Sequence, residues 1–533
     1  MVSTSTSPSR IPTFRRLFRS LRVLRLPLLV CTSVFVVALL IYNLVAIHRW
    51  EAYRREATAR GVMIDRSAPA ARIPDRENLV GTGSPFAPWK TGMQSWLGKW
   101  DGMHLDAPNI ALGERMTTAK AYSKQNVVWE VRRVANGSKM ERVSTPVGTK
   151  PLVPGQPQTA EDFLACCERN FSNEWPAILE AEARPRTQYS DIDADGANQQ
   201  FCALNARKTA QVHGMRGLAF LDLGRDAEAL KEVQECFTLA RALGADDNHQ
   251  LIPAMIRVAI ITLNLADVWE GLVDRRWSDA DLVALRKELD SFSPSLDWAQ
   301  TAKAERQQEN SAYDKLAALP PTQRGLVFVR QRKPDPIIPT MEDRLEMAAW
   351  SLALASPGFI RENQVVVNKY WDAAERRVSP NGHWHPEIKP DAAYDLDKLS
   401  SKQKIHYALA ATTTPSIERA ACRVVVVETY LTYAKLAIAI EQYRRQHQEL
   451  PENLAALAPD FIAEIPSDPF YGEAIRYVRP TADSYELRVS GESRHSGDPR
   501  PYEVWFSPKK GESTDLVWHG LAPETEVIKT AAR

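Results

Sequence analysis

At 533 residues the chain is too long for one ordinary domain, and two or three are expected. A hydrophobic content of 44% is that of a folded protein and excludes a mainly disordered one. Charge nearly balances overall, but six arginines (Arg10, Arg15, Arg16, Arg19, Arg22, Arg25) and no acid lie in residues 1–25; the remaining 61 basic and 66 acidic residues leave the rest near −5, which argues against nucleic acid as the main partner.

Residues 1–25 read as a basic tail. Residues 26–47 are apolar apart from Thr32, Ser33 and Asn43, and their 22 residues are enough to cross a bilayer with some tilt. The arginine cluster before them outweighs the mixed Arg49, Glu51, Arg54, Arg55 and Glu56 after them, which keeps the N-terminus cytoplasmic and places residues 49–533 outside. A cleaved signal peptide and a mitochondrial presequence are the rivals. For the first, the apolar core is too long and the first A-x-A, at 57–59, lies too far downstream; the second draws on the Arg- and Ser-rich, acid-free start. The reading is a transmembrane anchor.

Residues 48–158 are expected to form a stalk or linker, since Pro, Gly and polar residues dominate from residue 60 on. Within it, Val127-Val-Trp-Glu-Val-Arg-Arg-Val alternates like a strand. Trp89, Trp96 and Trp100 suit a sugar-stacking face, or, as the blander reading, a plug onto the main body or the membrane interface.

Residues 159–357 carry helical periodicity throughout, with helices expected at 160–183, 201–222, 226–243, 250–273, 279–291, 297–318 and 341–355. Gly224 closes one of them and Asp226 opens the next. The stretch Met215-Arg-Gly-Leu-Ala-Phe-Leu-Asp-Leu-Gly-Arg-Asp-Ala-Glu-Ala-Leu resembles a single tetratricopeptide-type hairpin through Gly217, Phe220, Gly224 and Ala229; no second copy stands at the 34-residue offset a repeat array needs. Further on, Ser278 caps a helix with Asp281 three residues later, a capping box with Asp in place of Glu. The Trp277-Ser-Asp-Ala-Asp-Leu start together with Ala302-Lys-Ala-Glu-Arg resembles a family of membrane-anchored bacterial helical proteins that end in a pseudopilin-like module, a resemblance that brings no activity with it. Residues 358–414, with Pro380-Asn-Gly-His-Trp-His-Pro, read as a connecting region of mostly loop character.

Residues 415–520 read as a small α+β module, and 521–533 as a tail. Val424 to Val427, Tyr430, Leu431, Leu436, Ile438 and Ile440 describe a helix over 416–443 that is apolar on most of its circumference and hence buried; Arg423, Glu428, Lys435 and Glu441 interrupt it too often for a second membrane span. Pro451 ends it, Leu454 and Leu457 give one more apolar turn, and Pro466-Ser-Asp-Pro-Phe-Tyr-Gly forms a stiff loop in which Asp468 accepts local backbone hydrogen bonds. Ile475-Arg-Tyr-Val and Tyr485-Glu-Leu-Arg-Val alternate as antiparallel strands, with a further strand at Tyr502-Glu-Val-Trp-Phe and an edge at Leu516-Val-Trp. Tyr443, Arg444, Pro451, Leu454, Leu457, Pro466, Asp468, Pro469, Phe470, Gly472, Tyr477 and Tyr485, in this order, resemble the globular module of the type II secretion major pseudopilin. The resemblance implies a borrowed fold rather than a pilus subunit, because no processing site and membrane helix directly precede it. It also implies calcium. Only Glu492 and Asp498 stand in the corresponding loop, separated by Arg494 and His495 and with Arg500 just beyond, so the metal is expected to have been lost.

Little else points to chemistry. His383, His385 and Glu387 would share one side of an extended backbone, a conceivable metal site, yet Gly382 and Pro386 mark a loop and no helix-borne spacing supports it. Cys166, Cys167, Cys202, Cys236 and Cys422 allow a disulfide among the first four or free buried thiols. P-loop, G-x-S-x-G, HExxH and CxxC motifs are all missing. The expectation is a mainly α protein without catalytic, cofactor or metal site: a single-pass scaffold or protein-binding protein of the bacterial inner membrane, its body outside the cytoplasm. The alternative is an envelope hydrolase, with or without a metal, acting on cell-wall or peptide substrates.

Overall fold

The structure, a computed structural model, describes residues 13–65, 72–87, 160–189, 197–244, 250–332, 341–385, 388, 400–469, 471–489 and 516–520. The basic residues before 13, most of the expected stalk with Trp89, Trp96, Trp100 and the strand at Val127, the loop with Glu492 and Asp498, the strand at Tyr502, and Glu387 and Phe470 lie outside the described residues. The chain is mainly helical with one small antiparallel sheet. Two compact units divide it. The first comprises Met1–Arg66, Gln307–Lys369 and Leu396–Thr412; the second comprises Ser67–Arg306, Tyr370–Asp395 and Thr413–Arg533.

In chain order the helices are α1 (Thr13–Ala59), α2 (Ala160–Phe171), α3 (Trp175–Glu182), α4 (Ala197–Asp222), α5 (Asp226–Gly244), α6 (Leu251–Val273), α7 (Asp279–Asp290), α8 (Pro294–Ala318), α9 (Pro321–Arg332), α10 (Met341–Ala355), α11 (Pro357–Arg376), α12 (Ser401–His406) and α13 (Ala408–His447). The strands are β1 (Arg476–Thr481), β2 (Ser484–Val489) and β3 (Leu516–Gly520), in that spatial order and antiparallel throughout.

Local chemistry accounts for several boundaries. Gly224 takes φ +74; the Arg225 N–H donates to Phe220 O and the Gly224 N–H to Leu221 O, the paired bonds that close a helix on a left-handed glycine. Ser278 and Asp281 form the expected capping box, the Asp281 N–H donating to Ser278 Oγ and the Ser278 N–H to Asp281 Oδ2. A second box joins Ser400 and Gln403.

Four expectations need correction. The helix expected over 160–183 breaks at 172–174, because Pro176 in the first turn of α3 cannot donate a bond back into α2. The connecting region 358–414 contains the 20-residue α11, opened by Pro357 and masked in the sequence by the Pro357-Gly358 pair. The long helix of the C-terminal module starts at Ala408 rather than at 416. Finally, the stalk expected from residue 48 begins as structured chain: α1 continues to Ala59, with Trp50, Tyr53 and Ala57 buried, and residues 72–87 bury Leu79, Val80 and Phe86. Helix α9 is an addition that Gly325 and the β-branched Val327 and Val329 concealed.

In the second unit α4, α5 and α6 pack on one another. Helix α6 is apolar and long enough to cross a membrane, but it is mostly buried and serves as core. Its Gly271 is fixed by contact: a Cβ there would lie 2.1 Å from the Trp277 indole, whose Nε1–H donates to Val268 O. As the apolar circumference predicts, α13 is buried along Val424 to Val427 and Leu436 to Ile440. The sheet is tied to both helices, through Tyr433 Oη donating to Leu516 O (3.0 Å) and Trp269 Nε1–H donating to His519 O (2.8 Å).

Candidate functional site

The first unit is built where α1 leaves its apolar run. From Leu29 to Val45 the large side chains of this helix are exposed, apart from the half-buried Tyr42. Then Ala46, Trp50, Tyr53 and Ala57, spaced 4, 3 and 4 residues apart, turn one buried face inward. Trp50, Tyr53, Ala57, Ile64 and Val365 form one hydrophobic cluster. Polar contacts fix the helix around this face: Arg49 pairs with Glu362 (2.9 Å), the Arg361 guanidinium lies 5.9 Å from the Trp50 ring, and Lys369 lies 4.9 Å from the Tyr53 ring.

Asn43, the one amide in the apolar run, makes the highest of these contacts. Its Oδ1 accepts from the Gly358 N–H (2.6 Å) and from the Ser356 hydroxyl (2.9 Å), while its Nδ2 donates to Leu39 O. The Ser356 hydroxyl in turn accepts from the Phe359 N–H, capping α11. A Cβ on Gly358 would stand 2.9 Å from Asn43 Cα, so a glycine is what allows this crossing. Behind it, Asn310, Gln364 and Asn368 interlock as a buried amide ladder, with bonds of 2.8–3.0 Å among them.

The second unit contains an ionic centre that no motif announced. His213 of α4 is fully buried, its Nδ1 2.6 Å from Glu232 of α5 and its Nε2 3.1 Å from both oxygens of Glu182 of α3. Arg216 pairs with the other Glu232 oxygen (2.8 Å) and lies 4.8 Å from the Trp175 ring, itself 5.0 Å from the imidazole. Burial pulls the His213 pKa down, but the facing Glu182 and Glu232 carboxylates outweigh it and raise it to about 10. Burial likewise pushes Glu232 up, yet its bond to His213 and the charges of His213 and Arg216 leave it below the usual carboxylate range. With both ring nitrogens donating, the imidazolium acts as a staple among three helices. A similar arrangement holds Arg306, fully buried, between Asp372 (2.9 Å) and Glu375 (3.2 Å).

The residues singled out from the sequence have more modest surroundings. The turn at Gly382 (φ +83) brings His383 and His385 onto one side of an extended backbone, ring centroids 4.9 Å apart, while Trp384 is buried. Among the described residues no group of three His, Cys, Asp or Glu is arranged to hold a metal ion. All six cysteines are thiols, and burial pushes Cys167 up to about 12 and Cys236 well above its ordinary value. Asp468 is fully buried and accepts the Tyr471 N–H (2.7 Å), the local turn bond expected of it. Sequence reasoning missed His213 because its partners stand 31 and 19 residues away on other helices; it missed Asn43 because a lone amide in an apolar run gives only polarity as a signal. Compared with known proteins, the chain matches no family model, no curated protein and no solved structure.

Proposed function

We propose that this chain is a single-pass membrane-anchored scaffold of the bacterial envelope: residues 1–25 lie in the cytoplasm, α1 spans the inner membrane, and the helical body outside binds other envelope proteins without catalysing a reaction. The observation that carries the anchoring is the change of environment along one continuous helix. Its large aliphatic side chains are exposed from Leu29 to Val45, where lipid would cover them, and the same helix is then a packed part of the first unit from Ala46 to Ala57. The arginines before the span support this orientation.

Binding rather than chemistry is supported by how the ionisable groups are used. His213 is committed to Glu182 and Glu232, and separately Arg306 to Asp372, inside the helical body, leaving the surfaces of the helices to contact partners. We carry the pseudopilin likeness as part of the same reading: a long helix, a short turn at Leu454–Leu457, the loop at 466–472 and a small meander succeed one another in the C-terminal module. Crosslinking in intact membranes, then affinity capture of the full chain, tests the proposal. A defined set of envelope proteins is expected to be captured. Recovery of the chain alone, together with turnover of a peptidoglycan or peptide substrate by the purified protein, would contradict it.

A further inference from the structure

Helix α10 leaves an apolar face open. Met341, Leu345 and Leu352 are 72%, 62% and 80% exposed, and Ala348, Ala349 and Ala355 beside them are exposed as well. At about 100° per residue, all six fall within an arc of roughly 120°, bordered by the exposed Arg344. The other side of the helix is spoken for. Leu354 is fully buried, and Ser351 stands so close to Gly325 of α9 that a Cβ there would overlap it. A contiguous open face of this kind marks a contact surface.

Its height along α1 identifies what it contacts. Leu352 precedes Ser356 by four residues, about 6 Å of helix. The Ser356 hydroxyl and the Gly358 N–H are both bonded to Asn43. Asn43 lies 17 residues into the apolar run that starts at Leu26, about 26 Å along the helix, near the far edge of a hydrocarbon layer about 30 Å thick. A second element repeats the pattern. Ile405 of α12 is 74% exposed, and the ring of its neighbour His406 meets Tyr42 edge-on at 5.9 Å. Two separate elements of the first unit therefore present open apolar side chains close to the level at which α1 emerges from lipid.

We infer that the α10 face and Ile405 form a lipid-contacting collar, lying in the headgroup–acyl boundary of the leaflet from which α1 emerges, and that the first unit rests on the membrane instead of standing off it. This rests on the anchoring proposed above. Continuity with the span argues for lipid as the occupant: Ser356 and Gly358, directly after α10, are bonded to Asn43 at the end of the exposed apolar run of α1. Arg344 at the border suits such a plane, its stem in the apolar zone and its guanidinium among headgroups.

The test uses the full chain, with Cys31 and Cys166 replaced by Ser, in phosphatidylethanolamine–phosphatidylglycerol liposomes. A fluorophore is attached to single cysteines at Leu352→Cys, Ile405→Cys, Val36→Cys or Glu56→Cys, and quenching is compared for lipids brominated near the headgroups or deep in the chains. Val36 is expected to be quenched by deep bromines. Leu352 and Ile405 are expected to be quenched by shallow ones, as for side chains held about 5–10 Å into the boundary, and Glu56 by neither. Quenching at Val36 with none at Leu352 and Ile405 would overturn the collar while leaving the anchor intact. A Leu352 label shielded from aqueous iodide yet unquenched by lipid would overturn it in favour of a protein cover. No quenching at Val36 would remove the anchor itself.

Discussion

Replacing His213 by Ala probes the ionic centre of the second unit. The change leaves the Glu182 carboxylate, fully buried, without the imidazolium 3.1 Å away, and leaves Glu232 with Arg216 alone. Breaking a buried ion pair on one side costs about 3–5 kcal/mol, because the remaining charge stays desolvated or must take up a proton. Linkage gives a similar magnitude. A histidine raised from 6.5 to about 10 contributes roughly 4–5 kcal/mol, at about 1.36 kcal/mol per pH unit. Since the folded pKa lies above the unfolded one, this stability is fully present below about pH 6.5 and is lost as pH rises toward and through about 10. Hydrogen exchange of the full chain in detergent, monitored over Trp175–Glu182 and Ala197–Gly244, measures the local opening free energy. It is expected to fall by about 3–5 kcal/mol in His213→Ala at pH 6, with the gap between variant and wild type narrowing steadily toward pH 10. A loss below about 1 kcal/mol, or one that does not change with pH, would refute the reasoning.

The other contacts give further expected outcomes. Asn43→Leu removes the acceptor of Gly358 N–H and of Ser356 Oγ–H and should destabilise the first unit by about 1–3 kcal/mol in detergent, read from its thermal unfolding. A chain starting at residue 42 should keep its fold, whereas one starting at residue 60 loses Trp50 and Tyr53 from the core, at about 3–5 kcal/mol for each large aromatic removed; equal protease resistance of the two would count against this packing. Asp468→Ala should lower stability by about 0.5–2 kcal/mol through loss of the bond from Tyr471 N–H, and an unchanged melting curve would show that the turn does not depend on it.

What the sequence makes legible is local. The apolar run before Ile47, the Schellman-type close at Gly224, the Ser278 capping box and the all-round apolar α13 each write their structure into adjacent residues or one periodicity. Proline and glycine misled where a tertiary contact overrides their usual meaning. Pro357-Gly358 reads as a loop, yet Pro357 opens α11 and Gly358 is small so that Asn43 can approach. The sites are the least legible, because they assemble across distance: His213 meets carboxylates from two other helices, and the amide ladder joins Asn310 to residues more than 50 positions away. No spacing rule connects such residues; only the packing of helices does.

The most direct measurement of the central claim is the topology of the intact chain. A reporter enzyme that is active only outside the cytoplasm, fused after Arg533, should be active in whole cells, and the fusion should remain in the membrane fraction after alkaline extraction. Cytoplasmic activity of a complementary reporter, or release of the full-length fusion by alkali, would contradict an anchored body facing outward.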